Sequence, residues 1–315
     1  MTKAIVPFFH SLSETQAAKW RMALKAAIPE IDICEMHELS MADRAAADVA
    51  IVANLDPNDL VGMPNLKWVQ SLWAGVERLL AAMPDPSVEI VRLVDPQLAE
   101  TMAEAVLAWT LYLHRDMPRY AAQQKLGVWE QHDLPTAASR RIGILGLGQL
   151  GQSAAKRLVA NGFDVRGWSR SAKTLDQVQT YSGAEGMAQL LAEADILIVL
   201  LPSTPATRNL LDDTAFEYLP KGARIINFAR ADIIDQRSLV DRLVSGRINH
   251  AVLDVFDQEP LPADDPLWSN PAVTVLPHIS APTNRHTAAA LVATNLRRWF
   301  ADGTMPPAVS RSNGY

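Results

Sequence analysis

The stretch RIGILGLGQLGQSAAKRLVANG (141–162) decides the fold. An apolar run, RIGILG (141–146), passes into GLGQLG (146–151) and then into helix-forming sequence, SAAKRLVANG (153–162). This is G-x-G-x-x-G between a strand and a helix, the context that a dinucleotide-binding turn requires. Gly146 permits the tight turn, Gly148 lets the backbone approach a pyrophosphate, and Gly151 lets helix and strand pack closely. Gln149 and Leu150 complete the turn. The helix expected over 152–161 would offer its free N–H groups and partial positive charge to the phosphates.

Working outward, five further apolar runs follow: FDVRGW (163–168), DILIVLL (195–201), RIINFA (224–229), HAVLDV (250–255) and VTVL (273–276). Several are continuously hydrophobic, as central strands buried on both faces must be. Helical segments such as RSLVDRLVSG (237–246) separate most of them. The chain before this block alternates in the same way. KAIVPFF (3–9), IDICEM (31–36), DVAIVAN (48–54), LKWVQSL (66–72) and EIVRLV (89–94) read as strands, and ETQAAKWRMALKAAI (14–28) reads as a helix. Such alternation predicts parallel sheets with helical crossovers. PQLAETMAEAVLAWTLYLHRDM (96–117) is too long for a simple crossover and reads as one helix bridging two α/β blocks, followed by a polar loop, GVWEQHDLPTAASR (127–140). The last helix, TNRHTAAALVATNLRRWFADG (283–303), has no strand after it.

Composition agrees with two globular domains. The chain has 315 residues, 49% apolar and 20% charged, too apolar for a disordered protein. With 29 Lys and Arg against 35 Asp and Glu, the net charge is −6, which argues against nucleic acid or an anionic membrane as a partner. The single cysteine, Cys34, permits no internal disulfide and no cysteine-built zinc site, and no metal is expected. No apolar stretch reaches the ~18 residues of a membrane helix. The opening MTKAIVPFFH is too short in its apolar part for a signal peptide, so a cytoplasmic protein is expected.

The turn after the second strand of the 141–282 block selects the nicotinamide cofactor. NAD sites place an acid there to bind the ribose 2′-hydroxyl. Here the turn is GWSRSAK (167–173), without an acid; Ser169, Arg170, Ser171 and Lys173 suit a 2′-phosphate instead. NADPH is therefore expected over NADH. Further polar residues stand just beyond apolar strands: Arg230, Asp254 with Glu259 beyond it, and His278. In an open parallel sheet, ligands bind outside the carboxyl ends of strands. The residue types suit reduction of a carbonyl: a His to donate the proton, a carboxylate to orient and charge it, and an Arg to fork onto a 2-keto acid.

In the runs GLGQLG (146–151), LLPSTPATRNLL (200–211), INFAR (226–230), LDVFDQEPLP (253–262) and PHIS (277–280) the chain resembles the D-isomer-specific 2-hydroxyacid dehydrogenases. The WSRS turn (168–171) and PLW (266–268) are closest to the bacterial NADPH-dependent glyoxylate/hydroxypyruvate reductases. The resemblance extends from about residue 68 to the C-terminal SNGY. It implies an α/β fold of two Rossmann- or flavodoxin-like parallel-sheet domains. A dinucleotide-binding domain (98–282) would be inserted into a substrate domain (1–97 plus 283–315), with the active site in the cleft. It also implies a homodimer whose arm is the helix and loop at 98–140.

By position, the resemblance implies that Arg230 binds and polarises the 2-keto acid, that Glu259 pairs with His278, and that His278 is the acid/base. Asp254 would hold the nicotinamide carboxamide, and Ala229, Leu201, Pro202 and Thr207 would line the cofactor, although core packing is an equal reading for Thr207. The turn WAGV (73–76) matches the family's substrate loop: the amides around Ala74, Gly75 and Val76 would bind the carboxylate, and Trp73 would wall the pocket or belong to the core. Two departures stand out. Ala231 replaces the family's usual Gly, which matters if that position needs positive φ, and Ser280 replaces Ala or Gly.

The activity this implies is NADPH-dependent reduction of glyoxylate or hydroxypyruvate to the D-2-hydroxy acid. The alternatives are a broader 2-keto acid reductase and a non-catalytic NAD(P)-sensing protein. A formate dehydrogenase fits less well, because those relatives pair the His with Gln.

Overall fold

The structure is a computed structural model and describes residues 3–83, 85–311 and 314. In chain order its elements begin with β1 (Ala4–His10), α1 (Glu14–Ala27), β2 (Ile31–Glu35), α2 (Met41–Ala46), β3 (Val49–Ala53), β4 (Trp68–Ser71), α3 (Glu77–Ala82) and β5 (Glu89–Val91). Then follow α4 (Pro96–His114), α5 (Met117–Leu126), β6 (Arg141–Leu145), α6 (Gln149–Ala160), β7 (Asp164–Ser169), β8 (Gln179–Ser182), α7 (Gly183–Glu193) and β9 (Ile196–Val199). The chain ends with α8 (Asp213–Tyr218), β10 (Ala223–Asn227), α9 (Gln236–Val244), β11 (Ile248–Leu253), β12 (Val273–Val275) and α10 (Arg285–Asp302). They form two compact units, Met1–Gln97 with Thr283–Tyr315, and Leu98–Pro282.

The first unit holds a parallel five-stranded sheet, β2-β1-β3-β4-β5. One face is covered by α1 and α10. On α10 the residues Ala288, Ala289, Val292, Ala293 and Leu296 repeat at helical spacing and are fully buried with Trp20, Leu24 and Trp68. Asn284 caps this helix by accepting the amides of His286 and Thr287. The opposite face packs Val69, Ile90, Val76 and Met83.

The second unit holds a parallel seven-stranded sheet, β12-β11-β10-β9-β6-β7-β8. The chain runs outward from β6 to β8, returns to the other side of β6 with β9, and continues to β12. The strand order therefore switches between β6 and β9, which pair from Ile142↔Ile196 to Leu145↔Val199. All four residues of β9 are fully buried, in keeping with an unbroken apolar strand.

Three expectations are corrected. The segment 96–117 is two helices. α4 stops at His114, Asp116 turns left-handed (φ 55°), and α5 restarts with Pro118 in its first turn. Pro118 cannot donate to a continuing helix, and the Asp116 carboxylate pairs with the buried Arg224 at 2.5 Å. The nucleotide unit has seven strands, not six. β8 is a polar edge strand, QTYS, which hydrophobic patterning does not report. Helix α6 begins inside the glycine motif at Gln149, so Gly151 lies in its first turn. Ser312, Asn313 and Tyr315 of the SNGY run lie outside the described residues. No described helix is long and apolar enough to cross a membrane.

Candidate active site

The glycine turn leaves β6 at the switch point. Gly146 adopts φ +105°, and a Cβ there would stand 2.7 Å from the Leu200 carbonyl oxygen. Gly148 is the N-cap of α6, with no side chain over the helix end. A Cβ on Gly148 would meet no protein atom within 4 Å. The twelve-residue helix thus presents uncapped amides, Gln149 and Leu150 included, to open space. Those features fit a pyrophosphate. A Cβ on Gly151 would lie 1.8 Å from the Gly146 carbonyl oxygen, so the third glycine is required by packing of helix on turn.

The turn after β7 contains no acid from 167 to 173. Arg170 and Ser171 are exposed there. Ser169 is buried and donates its hydroxyl to the Ser171 carbonyl at 2.8 Å; it shapes the turn. Lys173 donates to the Leu147 carbonyl at 2.7 Å and so ties this turn to the glycine loop. On the other side of the switch point, Leu201 is buried and Pro202 opens a tight loop. The Thr207 hydroxyl donates to the Pro202 carbonyl at 2.7 Å and accepts the Thr204 amide at 2.8 Å. Thr207 therefore holds the loop shut.

The polar constellation lies on the loops after β10, β11 and β12. Asn227, buried at the end of β10, organises the first of them. Its side chain accepts the Ala229 amide at 3.1 Å and donates to the Arg230 carbonyl at 2.9 Å. Ala231 opens a short 3-10 turn and is not among the positive-φ residues, so the absence of Gly there carries no backbone strain. The Asn227 carbonyl also accepts the Asp254 amide at 3.1 Å, joining this loop to the next.

Asp254 is almost fully buried. Its two carboxylate oxygens accept the amides of Ile279 and Ser280 at 2.7 and 2.9 Å. Both oxygens thus accept an amide from the turn that carries His278. The pinning has a physical reason. His278 adopts φ +51°, a left-handed conformation that a non-glycine residue keeps only when its surroundings impose it. The Ser280 hydroxyl is buried without a partner among the described residues.

Nδ1 of His278 lies 2.8 Å from Oε2 of Glu259, and the other Glu259 oxygen accepts the Phe256 amide at 3.0 Å. The carboxylate is held from behind, so it fixes the ring. Nδ1–H donates to Glu259, which leaves Nε2 on the half-exposed ring as the atom able to give or take a proton. Replacing Glu259 by Gln removes the charge that faces the ring and should lower kcat for reduction by about tenfold to a hundredfold with NADPH affinity unchanged. Initial rates and cofactor titration measure this, and a native kcat would reject the coupling.

The first unit carries the WAGV turn after β4. The Ser71 hydroxyl accepts the Trp73 amide at 3.0 Å, and the Trp73 indole donates to Asn54 at 3.0 Å. Trp73 packs edge-on against Trp20, with ring centroids 5.8 Å apart, as part of the core. The amides of Ala74, Gly75 and Val76 find no acceptor among the described residues.

A family model for the NAD-binding domain of D-isomer-specific 2-hydroxyacid dehydrogenases matches residues 107–280. The chain belongs to this family. A Xanthobacter autotrophicus member, solved with NADPH and MES, is 38% identical over 100% of both chains, with a TM-score of 0.92. The NADPH-dependent glyoxylate/hydroxypyruvate reductase of Sinorhizobium meliloti, solved with NADP and sulfate, is 32% identical over 99% of this chain and 100% of that one, with a TM-score of 0.91. A probable 2-hydroxyacid dehydrogenase of Rhizobium etli, solved with NADP, HEPES and L(+)-tartaric acid, is 29% identical over 100% of both chains, with a TM-score of 0.88.

As a 2-hydroxyacid dehydrogenase the protein is an NAD(P)-dependent oxidoreductase with a Rossmann-like fold. One residue that organises the site escaped sequence reasoning. Asn227 gave a signal, one amide ending an otherwise apolar strand.

Proposed function

We propose that this dehydrogenase reduces small 2-keto acids with NADPH, glyoxylate and hydroxypyruvate foremost, to the D-2-hydroxy acid. The observation that carries the reading is the His278–Glu259 couple on a turn pinned by Asp254, joined through Asn227 to the loop of Arg230. In this reading Leu98–Pro282 is the cofactor domain and the other unit the substrate domain. When bound at the glycine turn, a nicotinamide cofactor would supply the hydride for the keto carbon. Arg230 holds the carboxylate and the carbonyl oxygen, Nε2 of His278 gives that oxygen a proton, and Glu259 keeps the ring oriented. The amides of Ala74–Val76 take the substrate carboxylate.

The acid-free turn after β7 supports NADPH, and the Xanthobacter and Sinorhizobium relatives were solved with NADPH and NADP. kcat/KM should exceed that with NADH by at least about tenfold. Arg170→Ala should weaken NADPH by about tenfold to a hundredfold and leave NADH unchanged, the value of one charge-assisted contact to a phosphate. Equal efficiency with both cofactors in the native enzyme would overturn the preference.

The substrate claim is tested by initial rates with glyoxylate, hydroxypyruvate, pyruvate and bulkier 2-keto acids. Glyoxylate and hydroxypyruvate should lead. The tartaric acid solved with the Rhizobium relative favours a broader 2-keto acid reductase as the second reading, and comparable rates across the panel would select it. Tight NADPH binding with no turnover of any keto acid would select the sensing protein. We propose a homodimer as well. Leu126 and Trp129, the latter 96% exposed, give the 98–140 arm an apolar surface suited to a second copy. Light scattering on the purified protein should give twice the chain mass.

A further inference from the structure

We propose that Arg92 is a substrate-binding residue which, with the free amides of Ala74–Val76, holds the carboxylate of the 2-keto acid and sets its KM. The proposal deepens the reading above and rests on it for the identity of the substrate.

The argument starts from the sheet. Val91 and Leu93 belong to the core under α1 and α10, whereas Ile90 faces the opposite core with Val69, Val76 and Met83. Side chains alternate along an extended chain, so Arg92 follows Ile90 on the face that carries Val76 and α3. The Leu93 amide donates to the Trp73 carbonyl at 2.9 Å, which places Arg92 beside the first residue of the WAGV turn. The strand has ended here: the last β4–β5 pair is Gln70↔Val91. Arg92 and the turn thus emerge together at the carboxyl edge of the sheet, the edge at which open α/β sheets take ligands.

The local chemistry points to an anion. Arg92 is partly buried, and its guanidinium makes no hydrogen bond or ion pair among the described residues. Its one electrostatic partner is Glu77, the residue directly after the turn. Burial holds the guanidinium below the ordinary arginine range, against the opposing pull of Glu77, yet an arginine keeps its charge. A half-buried charge without a hydrogen-bonded counter-ion is costly, and a Leu or Ile would fill the same face at no such cost. The turn next to the Arg92 backbone carries three consecutive amides that also lack acceptors among the described residues. Guanidinium and amides are donors only, and a small carboxylate supplies the acceptors both require.

The test uses Arg92→Met, which keeps the stem and removes the charge, and Arg92→Lys. Arg92→Met should raise KM for glyoxylate about tenfold to a hundredfold, change kcat by less than about threefold, and leave NADPH affinity and the melting temperature of the free enzyme unchanged. Arg92→Lys should recover part of the KM. Titration of oxalate onto the NADP-bound protein separates this proposal from the assigned reaction. If the native protein reduces no 2-keto acid but binds oxalate at least tenfold more tightly than Arg92→Met does, the assigned reaction fails and Arg92 stands as the anion-binding residue. An unchanged oxalate affinity in Arg92→Met, no oxalate binding by the native protein, or an unchanged KM would each overturn the proposal.

Discussion

His278→Ala should lower kcat for glyoxylate reduction by about a hundredfold to ten-thousandfold and leave NADPH affinity within about twofold. The size follows from the loss of the proton donor, because the developing alkoxide then has only water to draw on. The restriction to kcat follows from the architecture. Asp254 holds the turn through the amides of Ile279 and Ser280, so the backbone does not depend on the imidazole. One confounding effect is built in: residue 278 sits at φ +51°, where alanine is disfavoured by roughly 1 kcal/mol. Asparagine tolerates that conformation and cannot act as an acid at neutral pH. His278→Asn should therefore be as slow as His278→Ala. A fast Asn variant beside a slow Ala variant would assign the loss to the backbone, and turnover within tenfold of native in both would remove His278 from the chemistry.

Gly151→Ala should be more damaging than a methyl group at Gly146, Gly148 or Gly167, because its contact is the shortest of the four. Its Cβ would stand 1.8 Å from the Gly146 carbonyl oxygen, a backbone atom that no rotamer change can move aside. Relief requires helix α6 to back away from the turn, which disturbs Gly146 at φ +105° and the amides facing open space. Overpacking of this kind costs about 1–3 kcal/mol or more, so the free protein should melt several degrees lower and NADPH affinity should fall at least about a hundredfold. Gly148→Ala is the control. Its methyl group meets no protein atom, so the free protein should melt as the native one does while NADPH binding weakens. Native melting and affinity in Gly151→Ala would show that the turn is far softer than its contacts imply.

Much of this was legible because the relevant signals are local. Buried parallel strands are unbroken apolar runs, and the glycine turn combines spacing with flanking elements. Where patterning failed, the deciding interaction lay elsewhere in the chain. The break at Asp116 depends on Arg224, more than a hundred residues on. β8 is an edge strand without an apolar face. Strand-end residues could be gathered as candidates, but their division of labour could not. Asp254 and Thr207 stand at strand ends as ligand-facing groups do, and only their hydrogen bonds show that they also shape the loops themselves. Ala231 looked like a backbone anomaly, and only its dihedral region, outside positive φ, dismisses it. Arg92 is the converse, an ordinary charge in sequence whose isolation is visible only in three dimensions.

The split first unit has a consequence for how the protein is made. A ribosome releases the chain in order, and α10 comes last. Until it emerges, Trp20 and Leu24 of α1 and Trp68 of the first sheet lack Ala288, Val292 and Leu296. At roughly 5–20 residues per second, synthesis of 98–282 occupies about 10–40 seconds, during which these apolar side chains stay uncovered. The nucleotide unit, contiguous in the chain, can complete itself in that interval. The half of the molecule that is translated first is therefore the half that folds last, and it is the newborn sheet, not the glycine turn, that needs shelter from its neighbours.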